Sequence, residues 1–253
     1  MRILALSIIA FFAVANSTFA QTIDTKGASE SSTPVFRPAL IGTGPNALIN
    51  RINTKELIAK GQKNGVVMFI CAVRKTGDVE WSGTYRVSGD VQMLEQELQR
   101  NLATSANPTL IPALFNHTPV GAIYFGTVTF AVVDGKPRLR IFSNQQIDEV
   151  NKESDFIGPQ PIIGTGSKFT SFHYPLMGEG TISVDGFVEV QLKVDEKGNL
   201  KELKIAREVP PLSGFGIAAV ADLGGAKFIP AFRNGKPVAC DVTVPIYYRA
   251  PDF

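Results

Sequence analysis

The residues best able to do chemistry are few and scattered. The two histidines, His117 and His173, and the two cysteines, Cys71 and Cys240, lie tens of residues apart, without the close spacing a zinc site needs. No metal is expected. A Ser or Cys nucleophile wants a His and an orienting acid, yet neither His falls beside a nucleophile elbow, and Cys71 sits mid-strand, where a thiol is inert. The sequence therefore assigns no catalytic residue and no cofactor. His117 and His173 read as solvated loop histidines. The Gly-Thr-Gly runs at 42–44 and 164–166 continue into neither Gly-Lys-Ser/Thr nor Gly-x-x-Gly, so they read as turns and not as phosphate cradles. Trp81, Phe69, Tyr85, Phe125 and Phe130 fall on expected strands, where packing or cross-strand pairing is the default role and a ligand platform the minority one.

With 25 basic and 23 acidic residues and no long basic run, charge points to neither nucleic acid nor an anionic membrane surface as partner. Hydrophobic residues make up 44% and charged ones 19%, a composition that builds cores and does not stay disordered. The 23 Gly and 16 Pro, together with short apolar runs rich in Val, Ile and Phe, argue for strands joined by tight turns. At the N-terminus, Met1-Arg2, the apolar run Ile3 to Ala15 and the small residue Ala20 form a signal-peptide pattern, with cleavage expected after Ala20. An uncleaved anchor is the alternative, although the run is shorter than the roughly 20 residues that span a bilayer. The mature chain is thus expected to be exported. Two cysteines permit one disulfide, but each lies among apolar neighbours, so one bridge and two separately buried thiols both fit the sequence.

The elements that would position any site come from an internal repeat, visible when the chain is laid on itself with an offset of about 120 residues. Asn64-Gly65-Val66-Val67 answers Asp185-Gly186-Phe187-Val188, Ile111-Pro112-Ala113 answers Ile229-Pro230-Ala231, and Asn116 with Pro119-Val120 answers Asn234 with Pro237-Val238. Twelve positions separate the paired glycines (65 to 77, 186 to 198) and seven the paired prolines (112 to 119, 230 to 237). A short insertion in the first unit is placed around Ala106-Asn107-Pro108. Each unit reads as strand, strand, helix, strand. Val66 to Lys75 turns back through Gly77 into Val79 to Val87, and Phe187 to Asp195 turns through Gly198 into Leu200 to Arg207. Val188, Val190, Leu192 and Val194 alternate with polar residues, giving one buried and one wet face. In the first unit Val91, Leu94, Leu98 and Leu102 form a helical stripe, with Asp90 placed to cap it. The second-unit helix, 215–225, carries three glycines and is expected to be short or frayed. Asp134-Gly135-Lys136-Pro137 leads into an extra hairpin strand in the first unit only.

These motifs resemble the C-terminal domain of the TonB family. The resemblance rests on Tyr174-Pro175, Gly186 to Val190, Val194-Asp195-Glu196-Lys197-Gly198-Asn199-Leu200, Lys227 to Ala231, Asn234-Gly235-Lys236-Pro237-Val238 and Val244-Pro245-Ile246-Tyr247-Tyr248. It spans roughly residues 172–250, and the first unit is more divergent. The implied fold is α+β: two tandem small antiparallel β-sheet domains, each a β-β-α-β unit with a helix packed on one face. The implied organisation is a signal peptide at 1–20, a linker at 21–39, a divergent domain at 40–145, a polar connector at 146–160 and the closer domain at 161–253. The implied function is that of a periplasmic, non-enzymatic protein-binding protein. Its partner would be an envelope protein or an outer-membrane receptor segment, engaged by strand addition beside the last strand. Val242, Thr243, Val244, Ile246, Tyr247 and Tyr248 are the partner-binding residues this implies. Pro245 fits an edge strand and limits what pairs there, and blunting that edge against aggregation is an equal alternative role for it. The nineteen-residue linker reaches only about 65 Å when stretched, so energy transduction by this chain alone is not expected. The alternatives are an exported enzyme or small-ligand binder using a cleft between the units, and a duplication with a purely structural role.

Overall fold

The computed structural model describes residues 35–103, 110–164, 166–175 and 184–250. The signal segment, most of the linker and the insertion near Pro108 lie outside them. In chain order the elements are β1 (Phe36–Arg37), β2 (Leu40–Ile41), α1 (Leu48–Arg51), α2 (Thr54–Ala59), β3 (Gly65–Val73), β4 (Val79–Ser88) and α3 (Gln92–Leu102). There follow β5 (Leu110–Ile111), β6 (Ala113–Phe115), β7 (Thr118–Val133), β8 (Lys136–Phe142), α4 (Ile147–Asn151) and β9 (Gln160–Ile163). The chain closes with β10 (Gly186–Val194), β11 (Leu200–Val209), α5 (Phe215–Leu223), β12 (Phe228–Ile229), β13 (Ala231–Arg233), β14 (Lys236–Val238) and β15 (Cys240–Tyr248). The fold is α+β and mostly antiparallel.

Two sheets are built around equivalent central strands. In the first, β3 lies between β4 and β7; in the second, β10 lies between β11 and β15. Their registers correspond: Gly65 faces Phe130 and Val73 faces Ala122, as Gly186 faces Tyr248 and Val194 faces Cys240. The hairpin turns correspond as well. Gly77 has φ 92° and Gly198 φ 79°, and their carbonyls accept from Leu110 N and Phe228 N, both at 3.0 Å. A Cβ at either glycine would stand 2.2 Å from the Leu110 oxygen or 2.0 Å from that of Phe228, so both the backbone twist and the space exclude a side chain.

Each sheet carries one helix. The stripe of α3 is fully buried, with Val91, Leu94, Leu98 and Leu102 all 0% exposed, against Val67, Phe69, Cys71 and Val73. Its N-terminus is not capped by Asp90. Gln62 does this instead: Oε1 accepts from Leu94 N and Nε2 donates to the Asp90 carbonyl, because the chain before β3 folds back over that end. The other helix, α5, is a regular helix of nine residues. Of the three glycines only Gly216 is interior, where a Cβ would meet Ile205 Cδ1 at 2.7 Å, so its helix penalty of about 1 kcal/mol accompanies a close approach to β11. Gly224 and Gly225 merely end it.

The halves differ on their second faces. Every residue of β3 from Val67 to Val73 is buried, and Ile70, Ala72, Ile123 and Phe125 join the core that contains Val188, Leu192 and Phe228. The first sheet is thus covered on both faces, while β10 alternates strictly between buried and half-buried. The extra hairpin forms as expected through Asp134 and Gly135, with β8 paired to the far end of β7. The stretch expected to be a polar connector is woven in: β9 pairs with β7 and with β12. Within it, buried Gln160 exchanges two hydrogen bonds with the Ala39 backbone. Phe36–Arg37, within the expected linker, pairs with β6. The described residues from Val35 onward form one compact unit.

Candidate functional site

The strand β15 forms because Val242, Val244, Ile246 and Tyr248 alternate with Asp241, Thr243, Pro245 and Tyr247, and the first set enters the core. This divides the residues implied by the resemblance. Val242, Val244, Ile246 and Tyr248 are at most 5% exposed, so their side chains are not available to a partner. Tyr248 stacks on Phe215 with 5.0 Å between centroids, and burial pushes its phenol above the ordinary range. Only Thr243 and Tyr247 face outward.

What β15 does offer is backbone. It pairs with β10 on one side and with no other strand among the described residues. Two observations fix which groups point away from β10. The Thr243 carbonyl accepts from Gln146 Nε2 at 3.0 Å, and Pro245, which lacks an N–H, shares the parity of Thr243 in an unbroken register. Because pairs alternate between bonded and non-bonded, the odd-numbered residues turn their N–H and C=O groups to the free edge. Thr243 and Tyr247 therefore present donors there, Pro245 and Tyr247 present acceptors, and Gln146 already occupies one position.

This edge borders a groove of about 640 Å³ between the two halves. Met68, Tyr85 and Val87 line it from the first sheet, and Phe187, Glu189 and Tyr247 from the second. The rings form a ladder: Tyr85 stacks on Tyr247 at 5.6 Å, Tyr247 on Phe187 at 6.3 Å, and the Arg207 guanidinium lies 5.3 Å from the Phe187 ring. Burial, assisted by the neighbouring Glu189 carboxylate, holds the Tyr85 phenol well above its ordinary pKa, so it stays a neutral donor, directed at Met68 Sδ. Sequence reading gave Tyr85 packing or cross-strand pairing as its default role and a ligand platform as the minority one. No local pattern joins it to Tyr247, and Gln145 and Gln146 fall at the expected boundary between the first domain and the connector.

The other candidate groups separate. Burial raises the Cys71 thiol out of the ordinary range and Cys240 to about 11; both are free and neither is a thiolate near neutrality. His117 occupies a turn with φ 64°. His173 is more than a solvated loop residue. Its Nδ1 lies 2.7 Å from Asp222 Oδ1, its backbone N–H donates to Asp222 Oδ2, and its Nε2 lies 3.2 Å from Ser171 Oγ. The ring is 63% exposed, so water competes for the Ser171 bond, and both Asp222 oxygens are spent on one residue. The unit ties residues 171–175 to α5. Among the described residues no group of three His, Cys, Asp or Glu side chains could hold a metal.

The second sheet is thus three antiparallel strands backed by one helix, with the last strand unpaired on its outer edge among the described residues. Residues 181–250 match the family model described as Gram-negative bacterial TonB protein C-terminal. The second sheet and α5 lie within this matched segment and are similar to that domain, whose family suggests an envelope-associated interaction role. No curated protein matches the chain. No helix among the described residues is long and apolar enough to cross a membrane.

Proposed function

We propose that the chain is an exported, periplasmic, non-enzymatic protein-binding protein that holds a segment of an envelope or outer-membrane partner as an added strand beside β15. In this reading residues 40–145 are a divergent copy of the same domain, and residues 161–253 are the copy that keeps a usable edge. The duplication is supported by the shared strand order, register and turn geometry of the two sheets. The observation that carries the reading is the unpaired backbone of β15 inside the matched segment.

The test is affinity capture from envelope extract with the mature chain and with Thr243→Pro. That substitution removes a free-edge N–H without touching the β10 ladder, and circular dichroism checks its fold. A protein retained by the first and lost with the second supports the reading; one retained equally by both overturns it. N-terminal sequencing of the exported protein is expected to begin at Gln21. The alternative of a small-ligand binder or enzyme in the cleft has the groove itself in its favour, and predicts binding indifferent to Thr243→Pro.

A further inference from the structure

The groove beside β15 is chemically one-sided. Its aromatic wall is flanked by the carboxylates of Asp148, Glu189 and Asp241, and among the described residues no Lys or Arg lines it, the Arg207 guanidinium lying over the Phe187 ring. Asp241 is engaged by Gln191 at 3.0 Å and Lys193 at 3.7 Å. Glu189 makes no hydrogen bond or ion pair among the described residues, although Arg207 stands opposite it in the register, because that guanidinium is drawn over Phe187. A second, independent feature comes from Gln145, a groove residue 5% exposed. Its Nε2 donates to the Phe69 carbonyl at 2.9 Å and, more weakly, to that of Gly126. These two acceptors fix the orientation of the amide, and they leave Oε1 buried without a partner. A buried acceptor of this kind calls for a donor. The carboxylates and the unpaired amide oxygen, beside the Tyr85–Tyr247 stack, favour a group that is cationic and donates hydrogen bonds.

We propose, resting on the strand-addition reading, that the partner segment carries a Lys or Arg whose cationic head enters this groove, against Glu189 and the Tyr85–Tyr247 stack and toward Gln145 Oε1. Backbone pairing with β15 then supplies attachment, and the basic side chain supplies selection. An acidic or purely apolar segment would leave Glu189 and Gln145 unmatched and meet like charge.

The test pans a displayed library of randomised eight-residue peptides against the full mature chain. The peptides recovered are then titrated calorimetrically against wild type, Glu189→Gln and Thr243→Pro, with melting temperatures to confirm folding. The expected result is enrichment of Lys or Arg at one position, with affinity falling about tenfold or more in Glu189→Gln and when that basic residue is replaced by Ala. Peptides without basic enrichment, or with affinity unchanged in Glu189→Gln, overturn the proposal. If those peptides still lose affinity with Thr243→Pro, strand addition stands and only the cationic selection fails. If Glu189→Gln matters and Thr243→Pro does not, the cation site stands without an added strand, and the combined proposal is overturned. A library that yields no binder overturns both.

Discussion

Residues 65–73 and 186–194 hold the same place in two sheets of the same register, yet they live in different surroundings. In β3 the residues between the helix-facing positions are Met68, Ile70 and Ala72, all buried; in β10 the corresponding residues are Glu189, Gln191 and Lys193, all half-buried. The neighbours differ in the same sense. The far edge of β7 is taken by β8 and β9, whereas the far edge of β15 meets only Gln146 and the groove. Two sheets of corresponding register thus end differently: one is closed on both faces and along one edge, and the other keeps an open edge among the described residues. Partner binding is expected at the second because the first has already been used to build the molecule.

Charge placed on the two second faces separates them most strongly. Ile70→Lys buries an unpaired ammonium and is expected to cost about 3–5 kcal/mol, while Gln191→Lys stays within about 0.5 kcal/mol; denaturant unfolding reads both, and equal costs would break the comparison. The turns, by contrast, should behave alike. Gly77→Ala and Gly198→Ala each force a side chain into a left-handed backbone against a carbonyl, at a cost of about 2–3 kcal/mol apiece. A much smaller cost in one of them would show that the shared turn is not shared energetically.

Acid should then distinguish the turns. Asp195 opens the second turn, where Arg74 opens the first. Burial tends to raise the Asp195 pKa, but hydrogen bonds from the Asn199 side chain and backbone, from Lys201 and from Lys197 N–H outweigh it and hold the group well below the carboxylate range. A depressed folded-state pKa means stabilisation that is fully present above about pH 4, the unfolded value, and that is lost as pH falls toward the folded value. Wild type should lose stability below pH 4 by an increment that Asp195→Asn lacks, the variant being about 1–2 kcal/mol weaker at neutrality. Parallel pH profiles would refute this. Smallest is the stability effect of Thr243→Pro, about 0.5 kcal/mol, against about 3 kcal/mol for Val244→Pro, whose N–H belongs to the β10 ladder. Thermal melts compare the two.

The correspondence of the two sheets was legible because its markers are steric necessities. Gly77 and Gly198, Pro112 and Pro230 keep their spacing since turns tolerate little else, and the stripe from Val91 to Leu102 is set by helical period. The closure of the first sheet also had a signal, the unbroken apolar run Val66 to Val73, which suits a strand buried on both faces. The groove had none. Tyr85, Gln145, Glu189 and Tyr247 come from four stretches of chain, and each reads locally as an ordinary strand or loop residue. The alternation in β15 was equally visible, but a resemblance names a strand, and only packing decides that Val242, Val244, Ile246 and Tyr248 face inward.

The most direct measurement of where the partner binds is photocrosslinking in the native cell envelope, with benzoylphenylalanine placed at Tyr247 on β15 or at Ile205 on β11, the opposite edge of the same sheet. Crosslinking of one envelope protein from position 247 and not from position 205 is the predicted result. The same crosslink from position 205, or none from 247 with the protein folded, would contradict it.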